Sequence, residues 1–237
     1  NMVDMKVFDD YTYYHSVNVA VISIVLAVAL GMNKNDLRNL GFAAILHDIG
    51  KVFIDKKLLN KADKLTDDEF EQVKAHSTLG CNYIRRGYGV PFETYMGILD
   101  HHEKYGGHGY PNDLRGDRIS LFGRIITLAD VYDALLSDRP YRKALLPSEA
   151  YEFIMASNMT SFDPIIVEAF VKKIAPYPTG TCIKLSNGMI GIVVENYETL
   201  SMRPKVKIYQ VEGEDVEPYE LELSDPESLN VTVVGVI

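Results

Sequence analysis

The chain has 237 residues, of which 47% are hydrophobic and 24% charged, and a formal net charge of -9 at pH 7. This composition fits a globular protein with a sizeable core and excludes a disordered or fibrous chain. The acidic balance argues against a duplex nucleic-acid face, which needs surplus Lys and Arg opposite phosphates, and the two cysteines, Cys81 and Cys182, are too few for a disulfide framework and lack a CxxC spacing, so a cytoplasmic setting is expected.

No charged segment leading into an apolar run and a small-residue cleavage site opens the chain. No secretory leader is therefore expected, and the start at Asn1 reads as the edge of an excised segment. The apolar run over residues 17–30 is interrupted by Asn18 and Ser23 and is shorter than the roughly 20 residues that a membrane helix needs. It reads as a buried core helix, and no membrane span is expected within the segment. Val17, Val21, Ile22, Val25 and Leu26 keep the helical period, and Gly31 with Asn33 is expected to end that helix. A second helix over residues 37–46 delivers His47 and Asp48 at its end. Thr66 followed by Glu69 has the spacing of a capping box and opens a helix that carries His76 to about Arg86. Further helices are expected over residues 92–102, 118–136, 148–157 and 164–173. Pro176 and Pro178 then mark a change of character. The stretch "YPTGTCIKLSNGMIGIVVE" predicts two strands joined at Asn187 and Gly188, and "PKVKIYQV" and "NVTVVGVI" favour strand as well. The expected architecture is mainly α, a helical bundle over residues 1–175 with a small C-terminal β appendage over residues 176–237.

The chain contains six histidines. Any one of them alone is best read as a hydrogen-bonded core or surface residue. Several acting together with carboxylates change that reading, because imidazole and carboxylate suit iron, manganese, zinc, copper or nickel, while the absence of nearby thiolate weakens a closed structural zinc site. "ILHDIGK", residues 45–51, sets His47 beside Asp48 in an apolar run. The two point about 100° apart on a helix, so both reach ions only where other helices surround them. The adjacent His101 and His102 pose the same geometric problem, and a dinuclear centre with Asp48 bridging solves it.

His15 in "YTYYHSVNVA", "LHDIGK" with Lys51, His76 in "HSTLG", "HHEKYGGHGYP" over residues 101–111 and "RIITLADVYDALLSDRPYRKAL" over residues 124–146 resemble the HD-GYP subgroup of the HD-domain phosphohydrolases. The resemblance spans about residues 9 to 157 in five ordered motifs. It implies an HD-domain helical bundle that hydrolyses cyclic di-GMP with two divalent metal ions, iron or manganese first, with zinc, nickel or magnesium as alternatives. The implied metal ligands are His15, His47, Asp48, His76, His101, His102 and Asp130. Asp48 would bridge, His15, His47 and Asp130 would hold one ion, and His76 with the 101–102 pair the other, the ions activating a water against phosphorus. Asp48 and Lys51 are the implied catalytic residues. Lys51 is similar to the family lysine that touches the scissile phosphate, although by itself it reads equally well as a contact with its own helix dipole. Arg139 and Arg142 resemble a basic pair that clamps substrate phosphate, and Tyr110 of the GYP segment would stack a guanine or meet a partner domain. His108 is expected not to be a ligand, and Asp133 to cap or pair locally.

Three departures from the family pattern stand out. Tyr11 occupies the position of an acid that serves a third metal in one branch, which predicts two ions. Gly106 stands where many members carry Asp, and "KAD" at residues 61–63 replaces "KPG". The implied partners are a cyclic dinucleotide, an upstream sensor or receiver domain, a GGDEF-domain protein and a second copy in a homodimer, with no duplex nucleic acid. Three alternatives stay open: the same site acting on another cyclic dinucleotide such as cyclic GMP-AMP, a weakly active sensor signalling through GYP-loop contacts, and an HD-type phosphohydrolase acting on nucleoside monophosphates, which the HH pair and GYP segment disfavour.

Overall fold

The computed structural model describes residues 10–61, 63–138, 143–198 and 200–237, with side chains from residue 13 onward. Its helices are α1 (Asp10–Ala29), α2 (Lys34–Ile45), α3 (Lys56–Leu59), α4 (Asp67–Gly87), α5 (Phe92–Asp100), α6 (Leu121–Leu136), α7 (Pro147–Ala156) and α8 (Pro164–Lys173). The strands are β1 (Cys182–Leu185), β2 (Ile190–Glu195), β3 (Lys205–Val211), β4 (Glu214–Glu222) and β5 (Val233–Val236). The chain divides into two compact units, one made of Asn1–Ala144 with Phe153–Ala169, the other of Leu145–Glu152 with Phe170–Ile237.

In the first unit α1 packs on α2 and α6, and α5 lies against α2, α4 and α6. The crossing helices bury Val19, Leu26, Leu40, Ile84, Ile98 and Leu128 completely. Each such side chain contributes about 1.5–3 kcal/mol on leaving water, which holds the helix ends that carry polar groups in fixed register. The capping box is present as expected, the Thr66 side chain accepting from Glu69 N and the Glu69 carboxylate accepting from Thr66 N. Asn33, expected to end α1, instead caps α2, its side chain accepting from Asn35 N and Asp36 N. An Asn two residues past a Gly suits either role, and the free N–H groups of a following helix decide it. The helix expected over residues 118–136 begins at Leu121. Ser120 caps it by accepting from Gly123 N, and a separate 3-10 turn spans Gly116–Arg118.

The second unit holds a five-stranded antiparallel sheet in the order β4-β3-β2-β1-β5. Ile183 pairs with Gly191, and Val193 with Val206, so alternate residues face a core of Ile183, Leu185, Val193, Val206, Ile208 and Leu223. The turn between β1 and β2 sets Gly188 at φ +83°, as the Asn-Gly pair predicts. Strand β4 escapes a reading by pattern, because "EDVEPYELE" is charged and contains Pro218. It lies at the sheet edge, where a residue without an N–H costs nothing on its unpaired side.

Candidate metal centre

Helix α1 carries His15, α4 carries His76 and α6 carries Asp130 and Asp133. Helix α2 ends at Ile45 with Leu46 as its C-cap, so His47 and Asp48 lie in the turn leading to a 3-10 segment, Ile49–Phe53. Gly50 presses that segment onto α4. A Cβ at this position would collide with the carbonyl oxygen of His76 and stand 2.7 Å from Gly80 N. Only a glycine permits this approach, and it brings Asp48 to His76. Helix α5 stops at Asp100, with His101 as its C-cap, and the two adjacent histidines leave the helix there. Asp100 Oδ2 accepts from Ser120 N at 2.9 Å, fixing the end of α5 to the start of α6.

These elements bring the donor atoms of two groups within 4.8 Å of one another, His15, His47 and Asp48 in one and Asp48, His76, His101 and His102 in the other. Asp130 joins the first through its Oδ1, 3.1 Å from His15 Nε2. Asp48 belongs to both. Its Oδ2 lies 3.3 Å from His47 Nε2, and its Oδ1 lies 3.3 Å from His76 Nε2 and 3.9 Å from His101 Nε2.

The outer ring nitrogens fix the tautomers. Nδ1 of His47 donates to Ala44 O at 2.7 Å, that of His76 to Val73 O at 2.6 Å and that of His101 to Ile98 O at 2.7 Å. A neutral imidazole has one N–H, so Nε2 of each presents a lone pair inward. His76 Nε2 and His101 Nε2 stand 3.3 Å apart, and His102 Nε2 is 3.2 Å from His76 Nε2. Two facing lone pairs repel, a repulsion that a cation held by these rings would relieve. Among the described residues, buried His47 Nε2 and Asp48 Oδ1 have no hydrogen-bond partner, although buried polar atoms are ordinarily satisfied. The residues therefore fit divalent cations, with neutral nitrogen donors and a carboxylate shared between two groups.

Electrostatics agree with this assignment for His76, His101 and His102, and differ at His15. Burial holds His76 below the usual histidine range, His101 well below it, and His102 down to about 3. All three are neutral near pH 7, the form that ligates. Burial alone would raise the carboxyl of Asp48, but Lys51 and His47 outweigh it and hold it well below the carboxylate range. Burial likewise opposes ionisation of Asp130, and the hydrogen bond from His15 overcomes it. Burial would lower His15, yet its hydrogen bonds to Asp130 and Asp133 raise it to about 10. A proton or a metal cation on His15 Nε2 can satisfy the same carboxylate.

Lys51 Nζ lies 2.5 Å from Asp48 Oδ2, against the shared carboxylate. Tyr110 sits with its ring 4.6 Å from that of His102 at an interplanar angle of 32°, and Lys74 Nζ stands 5.6 Å from its centroid. His108, at φ +65°, is exposed on the loop and joins neither donor group. Arg139 and Arg142 lie outside the described residues, as does the side chain of Tyr11. Asp133 departs from the expectation of a local cap or pair. Its Oδ2 accepts from His15 Nδ1 at 2.7 Å and its Oδ1 from Asn18 Nδ2 at 2.9 Å, so it reaches across to α1 and orients the His15 ring. A carboxylate one turn past Asp130 on the same face was the available signal. Glu103 went unread: it is buried, and its two oxygens accept from Asn112 N at 2.7 Å and Leu114 N at 3.0 Å, closing the GYP loop. At Gly106 a Cβ would stand 2.8 Å from Thr160 O, and Gly106 N donates to that oxygen at 2.8 Å. The segment around residue 160 leaves no room for a side chain at this position.

The helical unit gathers five imidazoles with the carboxylates of Asp48 and Asp130, a donor set that could hold divalent metal ions. The chain belongs to the HD domain family, whose model matches residues 7–166, and the HH pair and GYP segment place it in the HD-GYP subgroup. It is 39% identical over 209 residues to the cyclic di-GMP phosphodiesterase PA4108 of Pseudomonas aeruginosa, a match covering 88% of this chain and 50% of that protein. That length exceeds the helical body, so the similarity runs into the β-rich part. The 3'3'-cGAMP-specific phosphodiesterase 3 of Vibrio cholerae is 39% identical over 179 residues, or 75% of this chain and 38% of that protein. Among solved structures, the HDG"Y"P protein Bd1817 of Bdellovibrio bacteriovorus shares the fold, with a TM-score of 0.55 and 21% identity over 67% of this chain and 50% of its own. The chain spans about half the length, or less, of these curated relatives. HD-domain phosphohydrolases use divalent metals, and the His/Asp cluster can bind them. No helix among the described residues is long and apolar enough to cross a membrane.

Proposed function

We propose that this chain is the catalytic part of a divalent-metal-dependent phosphodiesterase that opens cyclic di-GMP to linear pGpG, with GMP as the product of a second cleavage, in bacterial second-messenger signalling. The observation that carries the reading is the shared carboxylate, since the two oxygens of Asp48 face two separate sets of imidazoles. His15, His47 and Asp130 would hold one ion and His76, His101 and His102 the other, with Asp48 between them. Two ions there, iron or manganese foremost and zinc, nickel or magnesium as substitutes, would supply Lewis-acid activation of water and neutralise charge developing at phosphorus.

The chain's own groups prepare that chemistry. The carbonyls of Ala44, Val73 and Ile98 hold three rings in the tautomer that points Nε2 inward, and Asp133 does the same for His15 through Nδ1. Lys51, partly exposed and paired with Asp48, offers a point charge to the scissile phosphate. Tyr110 borders the cavity beside His102 and presents a face or edge to a base. Arg139 and Arg142 belong to the proposed substrate-binding set on the ground of the motif alone. Residues 1–175 form the proposed catalytic domain and residues 176–237 an extension to which no chemistry is assigned. An upstream sensor or receiver domain, a GGDEF-domain partner and a homodimer complete the proposed context, in the cytoplasm.

A second substrate reading has its own support, the 39% identity to a relative named for 3'3'-cGAMP. Incubating metal-loaded protein with cyclic di-GMP and with 3'3'-cGAMP, and separating the linear products, distinguishes the two. Cyclic di-GMP is expected to be opened faster. Tight binding without linear product over hours would replace the enzyme by a sensor.

A further inference from the structure

A cavity of about 380 Å³ opens beside the proposed metal centre, bordered by His101, His102, Lys104, Tyr110, Ser161 and Phe162. Two lysines line it. Lys74 is neutralised by Glu71, with Nζ 2.6 Å from Oε1, and it rests over the rings of Phe70 and Tyr110. Lys104 differs: it is exposed, and among the described residues its ammonium makes no hydrogen bond or ion pair. The cavity is bordered by two proposed ligands and lined by no acidic side chain among the described residues, so this cation faces it without a counter-charge.

The backbone that carries Lys104 is held in place from several sides. Lys104 O accepts from Gly107 N at 2.7 Å, and Tyr110 N donates to His102 O at 3.2 Å. The neighbouring Glu103 staples the far end of the loop at Asn112 N and Leu114 N. Tyr105 N donates to Ser161 O at 3.2 Å and Gly106 N to Thr160 O at 2.8 Å, which joins the loop to the opposite wall of the cavity. The ammonium therefore extends from a fixed base into the cavity opening.

A cyclic dinucleotide carries two phosphodiesters, each with one negative charge. When one lies at the metal centre, the ring holds the other several ångströms away, and no ion neutralises it there. We propose that Lys104 binds this second phosphate, which makes it a specificity-determining residue that favours cyclic dinucleotides over diesters with a single phosphate. The proposal rests on the phosphodiesterase reading above.

The test compares kcat/KM for cyclic di-GMP with kcat/KM for bis(4-nitrophenyl) phosphate, a diester with one phosphate, in the full chain loaded with manganese. Lys104→Gln is expected to lower the ratio of the two about tenfold or more, the effect of losing one hydrogen bond to a charged group, mainly through KM for the cyclic substrate. Lys104→Arg keeps the charge and is expected to restore the ratio. Metal content measured on both variants checks that the centre is intact. A ratio within twofold of wild type in Lys104→Gln, or equal losses in the Gln and Arg variants, would overturn the assignment. Wild-type protein that cleaves the one-phosphate diester but no cyclic dinucleotide would overturn the assignment and the parent reading together.

Discussion

Replacing Gly50 by alanine puts a single methyl group where the 3-10 segment meets α4, and the structure gives the consequence a size. The added Cβ would overlap the carbonyl oxygen of His76 and lie 2.7 Å from both Gly80 N and the carbonyl carbon of His76. All of these are main-chain atoms of a helix and cannot rotate aside as a side chain does. Overpacking at a rigid site costs about 1–3 kcal/mol, and the upper end applies here. For a domain of this size about 3 kcal/mol lowers Tm by about 6–12 °C. The segment relieves the clash by moving away from α4, which carries Asp48 Oδ1 away from His76 Nε2, now 3.3 Å apart. Metal affinity should then fall about 10–100-fold or more, the scale seen when groups that orient ligands are disturbed. Thermal unfolding of the metal-free protein and competitive titration with a chromophoric chelator read the two effects separately. Gly87→Ala is the control, since a Cβ at the last residue of the same helix meets nothing within 4 Å. A Gly50→Ala protein with wild-type Tm and wild-type metal affinity would refute the claim that this close approach positions Asp48.

Two further effects follow from the same geometry. Asp133→Ala removes the acceptor of His15 Nδ1 without removing a proposed ligand, so affinity for the ion at His15, His47 and Asp130 should drop about 10–100-fold in a metal titration, while the other site keeps its affinity. Equal weakening of both sites would argue against a local orienting role. Stripping metal with a chelator should lower Tm, because each ion held at a hundred times its Kd adds about 2.7 kcal/mol. Two ions then correspond to about 10–20 °C, and an unchanged melting curve would contradict binding at the buried cluster.

Much of this candidate site is legible from residue order because periodicity and capping locate the helices that carry His15, His76 and Asp130 and the helix ends that deliver His47, Asp48, His101 and His102. Thr66 and Glu69 announce α4 and therefore the position of His76, and the apolar run before "HDIGK" marks where α2 delivers the pair. What stays hidden depends on contacts far apart in sequence. Asp133 acts on a ring 118 residues away, so from the chain alone it is one more helical acid. Gly106 is set by the carbonyl of Thr160, and no local pattern reveals that approach. Asn33 has a side chain suited to either helix end, and the open N–H groups of α2 claimed it. Strand β4 lacks the apolar alternation used to find strands because it lies at the edge of its sheet, where charge and proline are tolerated.

The shared role of Asp48 is the point on which the account turns. Elemental analysis of anaerobically purified protein, run side by side with an Asp48→Ala variant, tests it most directly. The account predicts two ions per chain in the wild type and loss of metal from both sites in the variant, together with loss of cyclic di-GMP hydrolysis. An Asp48→Ala protein that retains two ions and full turnover would contradict it.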